Sequence, residues 1–102
     1  MSFFKEKLDS ILQKEISRAI LKEIDNKEFL ITVTKVKTSS DLSKSEVFLT
    51  IFPDQKEKEA LGFLNKNVGQ IQKAINKKVK VKYVPMIVFK IDKGAKNLYK
   101  IS

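Results

Sequence analysis

Residues 64–85 read LNKNVGQIQKAINKKVKVKYVP, and the fold depends on how this stretch is parsed. Through Asn76 the apolar positions Ala60, Leu61, Leu64, Val68, Ile71 and Ile75 follow the three- and four-residue steps of one helix face. Gly69 interrupts that pattern, at a cost of about 1 kcal/mol relative to alanine, and Asn67 precedes it by two residues. Asn and Gly adopt left-handed backbone geometry more easily than other residues. The pattern therefore predicts a kink, with one helix ending and another beginning near Gln70. After Asn76 the period falls to two, with Val79, Val81 and Tyr83 alternating with Lys78, Lys80 and Lys82. Ile87, Phe89 and Ile91 continue it past Pro85, which suits an edge or irregular point in a strand.

Working outward, Pro53-Asp54 reads as a helix start, with Asp54 as the cap and Glu57 placed to complete a capping box. Before it, FLITVTKVKT (29–38) and EVFLTIF (46–52) are rich in β-branched residues and read as strands. Ser39-Ser40-Asp41 is the polar break between them, with Asp41 a turn former. The connection is longer than a two-residue hairpin, which predicts an irregular loop or a bulge. Near the beginning, Phe4, Leu8, Ile11, Leu12, Ile16, Ala19, Ile20 and Ile24 form a helical stripe that Asp25-Asn26 would end. Acidic residues nearly balance the bases on this helix, which favours packing on a sheet over lying on a membrane.

The order is helix, strand, strand, helix, broken helix, strand. Two adjacent strands pair antiparallel, and the helical pair acts as a crossover that returns the last strand parallel to one of them. The predicted fold is α+β, a three-stranded mixed sheet covered by helices in two layers. Residues 1–92 are expected to form a single domain and residues 93–102 a short polar tail.

Charge is segregated along the chain. Residues 1–65 hold 11 basic and 11 acidic side chains, whereas residues 66–102 hold 10 lysines and a single acid, Asp92, which accounts for the net +9. Within 64–85 there are six lysines and no acid. Such asymmetry points to a polyanionic partner, with nucleic acid ahead of an anionic membrane. A helix beginning amid lysines would present free backbone N–H groups and the positive end of its dipole to phosphate. Phosphate contacts position a nucleic acid but do not read its bases, and stacking residues are few, with Tyr83 the nearest. Recognition by shape and charge follows.

Other classes are disfavoured. The chain has no histidine and no cysteine, which removes the commonest general base, the thiol nucleophile and the usual zinc ligands. No phosphate-binding glycine loop or paired-carboxylate arrangement stands out, so neither an enzyme nor a metal or cofactor site is expected. No apolar run is long enough to span a bilayer, and MSFFKEKLDS does not resemble a secretory signal. A cytoplasmic protein is expected.

The stretch VTKVKTSSDLSKSEVFLTIF, with Asp41-Leu42 at its centre, resembles the strand–Asp-Leu–strand segment of the ribosome-binding factor A family. KNVGQIQKAINKKVKVKYVPMIVFKID resembles that family's kinked helices and final strand, with Val84-Pro85, Phe89 and Asp92 in the matching places. The resemblance runs from about Phe3 to Asp92. It implies a K-homology fold of the second type, αββααβ, in which an Ala-x-Gly kink replaces the usual Gly-x-x-Gly loop, and the kink falls on Asn67-Val68-Gly69. Gln70 and Gln72 stand where the family carries Phe and Arg, and Ser45 stands where a small alanine is expected. The family's long basic C-terminal extension, found in some members, is missing.

The resemblance implies a small-subunit assembly factor that assists late rRNA maturation near the 5′ end, is associated with growth in the cold, and leaves before translation. The expected partner is the small ribosomal subunit and its rRNA, bound without catalysis, by a monomer that does not engage membranes. The candidate RNA-binding residues are Lys66, Asn67, Gly69, Gln70, Lys73, Lys77, Lys78, Lys80 and Lys82. The competing reading is a general K-homology-like module for RNA or DNA.

Overall fold

A computed structural model describes residues 3–24 and 28–95 of the chain. The elements run α1 (Phe3–Glu23), β1 (Leu30–Thr38), β2 (Lys44–Phe52), α2 (Glu57–Lys66), α3 (Val68–Lys78) and β3 (Met86–Ile91). The sheet order is β1-β2-β3, with β1 antiparallel and β3 parallel to the central β2. This is the α+β, mixed-sheet architecture that the patterning predicts, and α2 with α3 supplies the crossover.

The core lies between the helices and one face of the sheet. Leu12 and Ile16 of α1, Val47 and Leu49 of β2, Leu64 of α2, and Ile71 and Ile75 of α3 are all essentially inaccessible to solvent. Each such side chain removed from water contributes about 1.5–3 kcal/mol. Phe4 and Ile11 belong to the expected α1 stripe yet are exposed. The reason is geometric. A four-residue step advances about 40° around a helix, so the buried line through Leu8, Leu12, Ile16 and Ile20 precesses and leaves Phe4 and Ile11 behind it. The expected end of α1 at Asp25-Asn26 lies outside the described residues, although α1 closes just before it at Glu23.

β2 alternates cleanly between buried and open positions, but β1 does not. Its inward residues shift from Ile31 and Val33 to Val36 and Thr38 because a bulge at Thr34 inserts an extra residue between the pairs Val33↔Leu49 and Lys35↔Phe48. The bulge leaves carbonyls turned outward, and Gln13 Nε2 donates to the Thr34 oxygen at 3.2 Å. Thr34 Oγ1 in turn donates to Asp92 at 2.5 Å, and Asp92 accepts the Ala95 amide at 3.0 Å, so one carboxylate ties the end of β3 across the sheet. Of the two forms expected for the β1–β2 connection it takes the irregular loop, and the bulge inside β1 is separate from it.

The connection itself is built by Asp41. It accepts hydrogen bonds from the Ser39 hydroxyl (2.7 Å), the Ser43 hydroxyl (2.8 Å) and the Ser43 amide (3.1 Å). Those donors, the Ser39 hydroxyl first, bring its pKa down to about 2. Asp92 is lowered as well, chiefly by Thr34. A depressed carboxylate stabilises the fold above its unfolded pKa near 4, and that stabilisation fades as pH falls through the folded value. Acid titration followed by circular dichroism should therefore show stability falling between about pH 4 and pH 2, and Asp41→Asn should flatten that fall.

One polar line runs through the core. Thr38 and Ser45 are buried, and their hydroxyls lie 2.7 Å apart. Thr38 Oγ1 donates its single proton to Asp9 of α1 at 2.5 Å, and its amide donates to the same oxygen at 3.1 Å. Ser45 must therefore be the donor to Thr38. This chain satisfies a serine that stands where the family resemblance leads one to expect alanine. Thr38→Val keeps the shape but strands the Ser45 hydroxyl and part of Asp9, and should cost about 1–3 kcal/mol in urea unfolding. Restoring alanine at Ser45 in the same chain should recover part of the loss.

Two boundaries differ from expectation. A cis Phe52–Pro53 bond and a 3-10 turn at Asp54–Lys56 precede α2, so the helix is capped at Lys56 with no side-chain cap bond, and the Asp54 capping box is not formed. Residues 79–85 are not a strand despite their alternation. Val79 and Pro85 are buried, and Val81 and Val84 pack against the core, in an irregular passage that ends where Met86 donates to the Ser43 carbonyl at 2.9 Å. Gln72 holds this passage to α3, accepting from the Ile87 amide (2.9 Å) and donating to the Pro85 carbonyl (3.1 Å). β2 begins at Lys44, opposite Met86, so the passage has no strand beside it to pair with.

Candidate RNA interface

The helix break is real, and one residue makes it. Asn67 closes α2, its amide bonding to the Phe63 and Leu64 carbonyls at 3.2 and 3.1 Å, while its side-chain Nδ2 donates to the Phe63 carbonyl at 2.8 Å. Its own carbonyl then accepts from Gln70 and Ile71 at 3.1 and 3.2 Å, starting α3. The residue sits at φ −105°, ψ 11°, between the helical and extended regions. The left-handed kink expected from Asn67 and Gly69 is not adopted. The sole positive φ among the described residues belongs to Leu42, in the β1–β2 turn. A bridge conformation with two caps in one residue breaks the helix without it. The second helix also starts at Val68, earlier than the expected Gln70.

Gly69 consequently lies in the first turn of α3 with ordinary helical geometry, and a Cβ built there meets nothing within 4 Å. Neither backbone conformation nor helix packing requires a glycine at this position. The amides of Gln70 and Ile71 are already bonded to Asn67. At most those of Val68 and Gly69 are left for a ligand, fewer than a bare helix start would offer.

The candidate residues divide into groups. Gly69, Lys73 and Lys77 are spaced by four along the open side of α3, with exposed Lys66 at the end of α2 on the other side of the break. Lys78 turns toward α1. With Arg18 and Lys22, and with the acids Glu15 and Glu23, it lines a groove of about 190 Å³ floored by Ala19, Ala74 and Ile75. Lys80 and Lys82 are exposed in the irregular passage, where the Lys82 ammonium lies 5.6 Å from the centre of the exposed Tyr83 ring. Gln70 and Asn67 are occupied internally: Gln70 donates to the Glu23 carbonyl and carboxylate at 3.2 and 3.3 Å, and the Asn67 amide caps α2. Phe63 packs inward as expected, edge-on to Phe29 at 6.0 Å.

Arg18 and Lys22 are the site residues that the sequence alone did not single out. Their signal was present as an i, i+4 basic pair containing the chain's only arginine. It was masked because Glu15 and Glu23 balance them, and Arg18 is in fact within 3.5 Å of Glu15. The helical side thus offers exposed Lys66, Lys73 and Lys77 around the break, beside a groove in which Glu15 and Glu23 offset two of the three bases. Among the described residues no helix is long and apolar enough to cross a membrane, and no group of metal-ligating side chains comes together.

Comparison with known proteins agrees with this geometry. The ribosome-binding factor A family model matches residues 4–102. The chain belongs to the ribosome-binding factor A family. A ribosome-binding factor A from Halothermothrix orenii is 43% identical over 88 residues, covering 84% of this chain and 72% of the relative. The crystal structure of ribosome-binding factor A from Thermus thermophilus shares the fold, with a TM-score of 0.76 at 24% identity over 85% of this chain and 93% of that one. A homology model of the Thermus thermophilus factor, fitted into a cryo-electron-microscopy map of a 30S complex with it, matches at TM-score 0.73 and 25% identity, covering 86% and 94% of the two chains.

Proposed function

We propose that this chain binds the immature small ribosomal subunit through its rRNA and assists late maturation near the 5′ end, holding an RNA conformation without making or breaking bonds. The contact surface is the α2–α3 corner, with Lys66, Lys73 and Lys77 along its open side and Lys78, Arg18 and Lys22 in the adjoining groove. Lys80 and Lys82 extend it toward β3. The chain acts as a cytoplasmic monomer through one domain, residues 1–92.

The observation that carries the reading is Gly69. Its cost to the helix is recovered neither by backbone geometry nor by packing, so closeness to a partner is the use left for it. That partner meets an exposed lysine stripe with no acid anywhere between Glu59 and Asp92. Family membership supports a ribosomal partner, since a homology model of the related Thermus thermophilus factor has been fitted into the map of a 30S complex.

Three measurements test this. Gly69→Ala should stabilise the fold by up to about 1 kcal/mol in denaturant unfolding while weakening subunit binding, because the added methyl meets open space in the free protein and RNA in the complex. If four phosphates are neutralised, log affinity for duplex RNA should fall against log salt with a slope of about −3 to −4. Competition between immature subunits and mixed RNA or DNA distinguishes a ribosomal factor from a general nucleic-acid module. Strong preference for subunits is expected, and indifference would favour the general module.

A further inference from the structure

None of the described helices covers the opposite face of the sheet, where Leu30, Phe52 and Met86 stand 61%, 71% and 67% exposed. Cross-strand register places a set of charges there. Lys37 pairs with Glu46, Lys35 with Phe48, Phe48 with Lys90, and Lys44 with Met86. The intervening Val36, Val47 and Phe89 are buried, so these rows point away from the core. Four ammonium groups share the face with two carboxylates, Glu46 and Asp92, the latter kept charged in part by Lys35, an excess of two positive charges. Glu46 is held by Lys90 at 2.6 Å, and Lys44 and Lys37 also favour its charged form. Lys35 rests over the half-buried Phe48 ring, 4.8 Å from its centre.

A solvated sheet face gains stability from opposite charges across strands and loses it from like charges. Here lysines outnumber acids on the face as a whole, and β1 carries Lys35 and Lys37 with no acid of its own, a self-repulsion that the fold itself does not need. Lys35 and Lys37 lie about 7 Å apart by strand geometry, a row of cations along a flat surface. With the Phe48 ring under an ammonium group, no aromatic face at the centre is open for base stacking. The chemistry fits a phosphate backbone.

We propose that this open sheet face is a second RNA-binding surface, so that the chain bridges two RNA segments, one on each layer of the fold. The second surface stands on the register and charges of the sheet; the bridging rests additionally on the RNA contact proposed for the α2–α3 corner. Contacts of this kind are independent of base sequence.

The test mixes two RNA duplexes, one carrying a donor dye and one an acceptor, with the full chain at one protein per two duplexes. The wild-type chain should produce energy transfer. Lys35→Gln/Lys37→Gln/Lys44→Gln should abolish transfer and reduce the salt slope of total binding by about 3, while still binding one duplex. Glu46→Gln should move the onset of transfer to several-fold lower protein concentration. Matching far-ultraviolet circular dichroism and melting curves would show that the variants fold. Transfer and slope unchanged in the triple glutamine variant would overturn the second surface and leave the corner untouched. Transfer lost only on reversing Lys73 and Lys77 would do the same. Single-duplex binding that survives corner reversal but not the glutamine variant would support the sheet face and refute the corner. Equal competition by poly-glutamate at matched charge would overturn the assignment to RNA.

Discussion

Lys73→Glu/Lys77→Glu/Lys78→Glu should abolish co-sedimentation with immature small subunits while leaving the melting temperature close to that of the parent chain. All three side chains are exposed, so the fold gives up little. Removing three phosphate contacts lowers the log–log salt slope by about 2.7, which corresponds to roughly a 500-fold loss at 0.1 M salt relative to 1 M. Reversal adds repulsion beyond that. The geometry also divides the effect. Lys73 and Lys77 share the open side of α3, whereas Lys78 faces the groove with Arg18 and Lys22. Lys78→Glu should therefore couple to Arg18→Gln in a double-mutant cycle, and Lys73→Glu should be additive with it.

Ile71→Ala should carry the largest stability cost. Ile71 follows the break by one turn, is fully buried, and donates its amide to the Asn67 carbonyl. Truncating a buried isoleucine typically costs about 2–5 kcal/mol, a large share of the roughly 5–15 kcal/mol available to a domain of this size. The melting temperature should fall by about 10 °C or more. Because Ile71 fixes the first turn of α3 on the core, subunit binding should weaken further than the folded fraction alone explains. Gly69→Ala at the neighbouring open position should behave oppositely in stability.

How much of this was legible in the sequence follows from what each element depends on. Element order, the mixed sheet and the crossover came from periodicity and short connections, because the buried faces of α1, β2, α2 and α3 each keep their own step. The residue at which the helix breaks was also legible, since Asn and Gly are poor helix formers. Its conformation was not. Asn67 reaches its cap through side-chain and carbonyl bonds to Phe63, Gln70 and Ile71, a local solution that composition does not distinguish from a left-handed turn. Residues 79–85 misled for the opposite reason. They alternate like a strand, but β2 begins at Lys44, opposite Met86, so the parallel register offers residues 79–85 no partner.

The site was legible in part. Lysines at 66, 73 and 77 fell where the segregation of charge placed them, since solvent-facing cations need no tertiary partner to declare themselves. Gln70 is engaged by Glu23 of α1, which only the fold brings near, and the Asn67 side chain by Phe63 one turn back on α2. Arg18 and Lys22 were hidden because Glu15 and Glu23 balance them in a linear count; the fold adds Lys78 to the same groove and leaves it one positive charge in excess.

The central claim is that the corner formed by α2 and α3 touches small-subunit rRNA. Ultraviolet crosslinking in growing cells, read out by sequencing the attached RNA and by mass spectrometry of the attached peptide, tests it most directly. RNA from the 5′ region of small-subunit rRNA, joined to peptides spanning residues 66–78, is the predicted result. Crosslinks scattered over messenger RNA, or confined to peptides that exclude those residues, would contradict it.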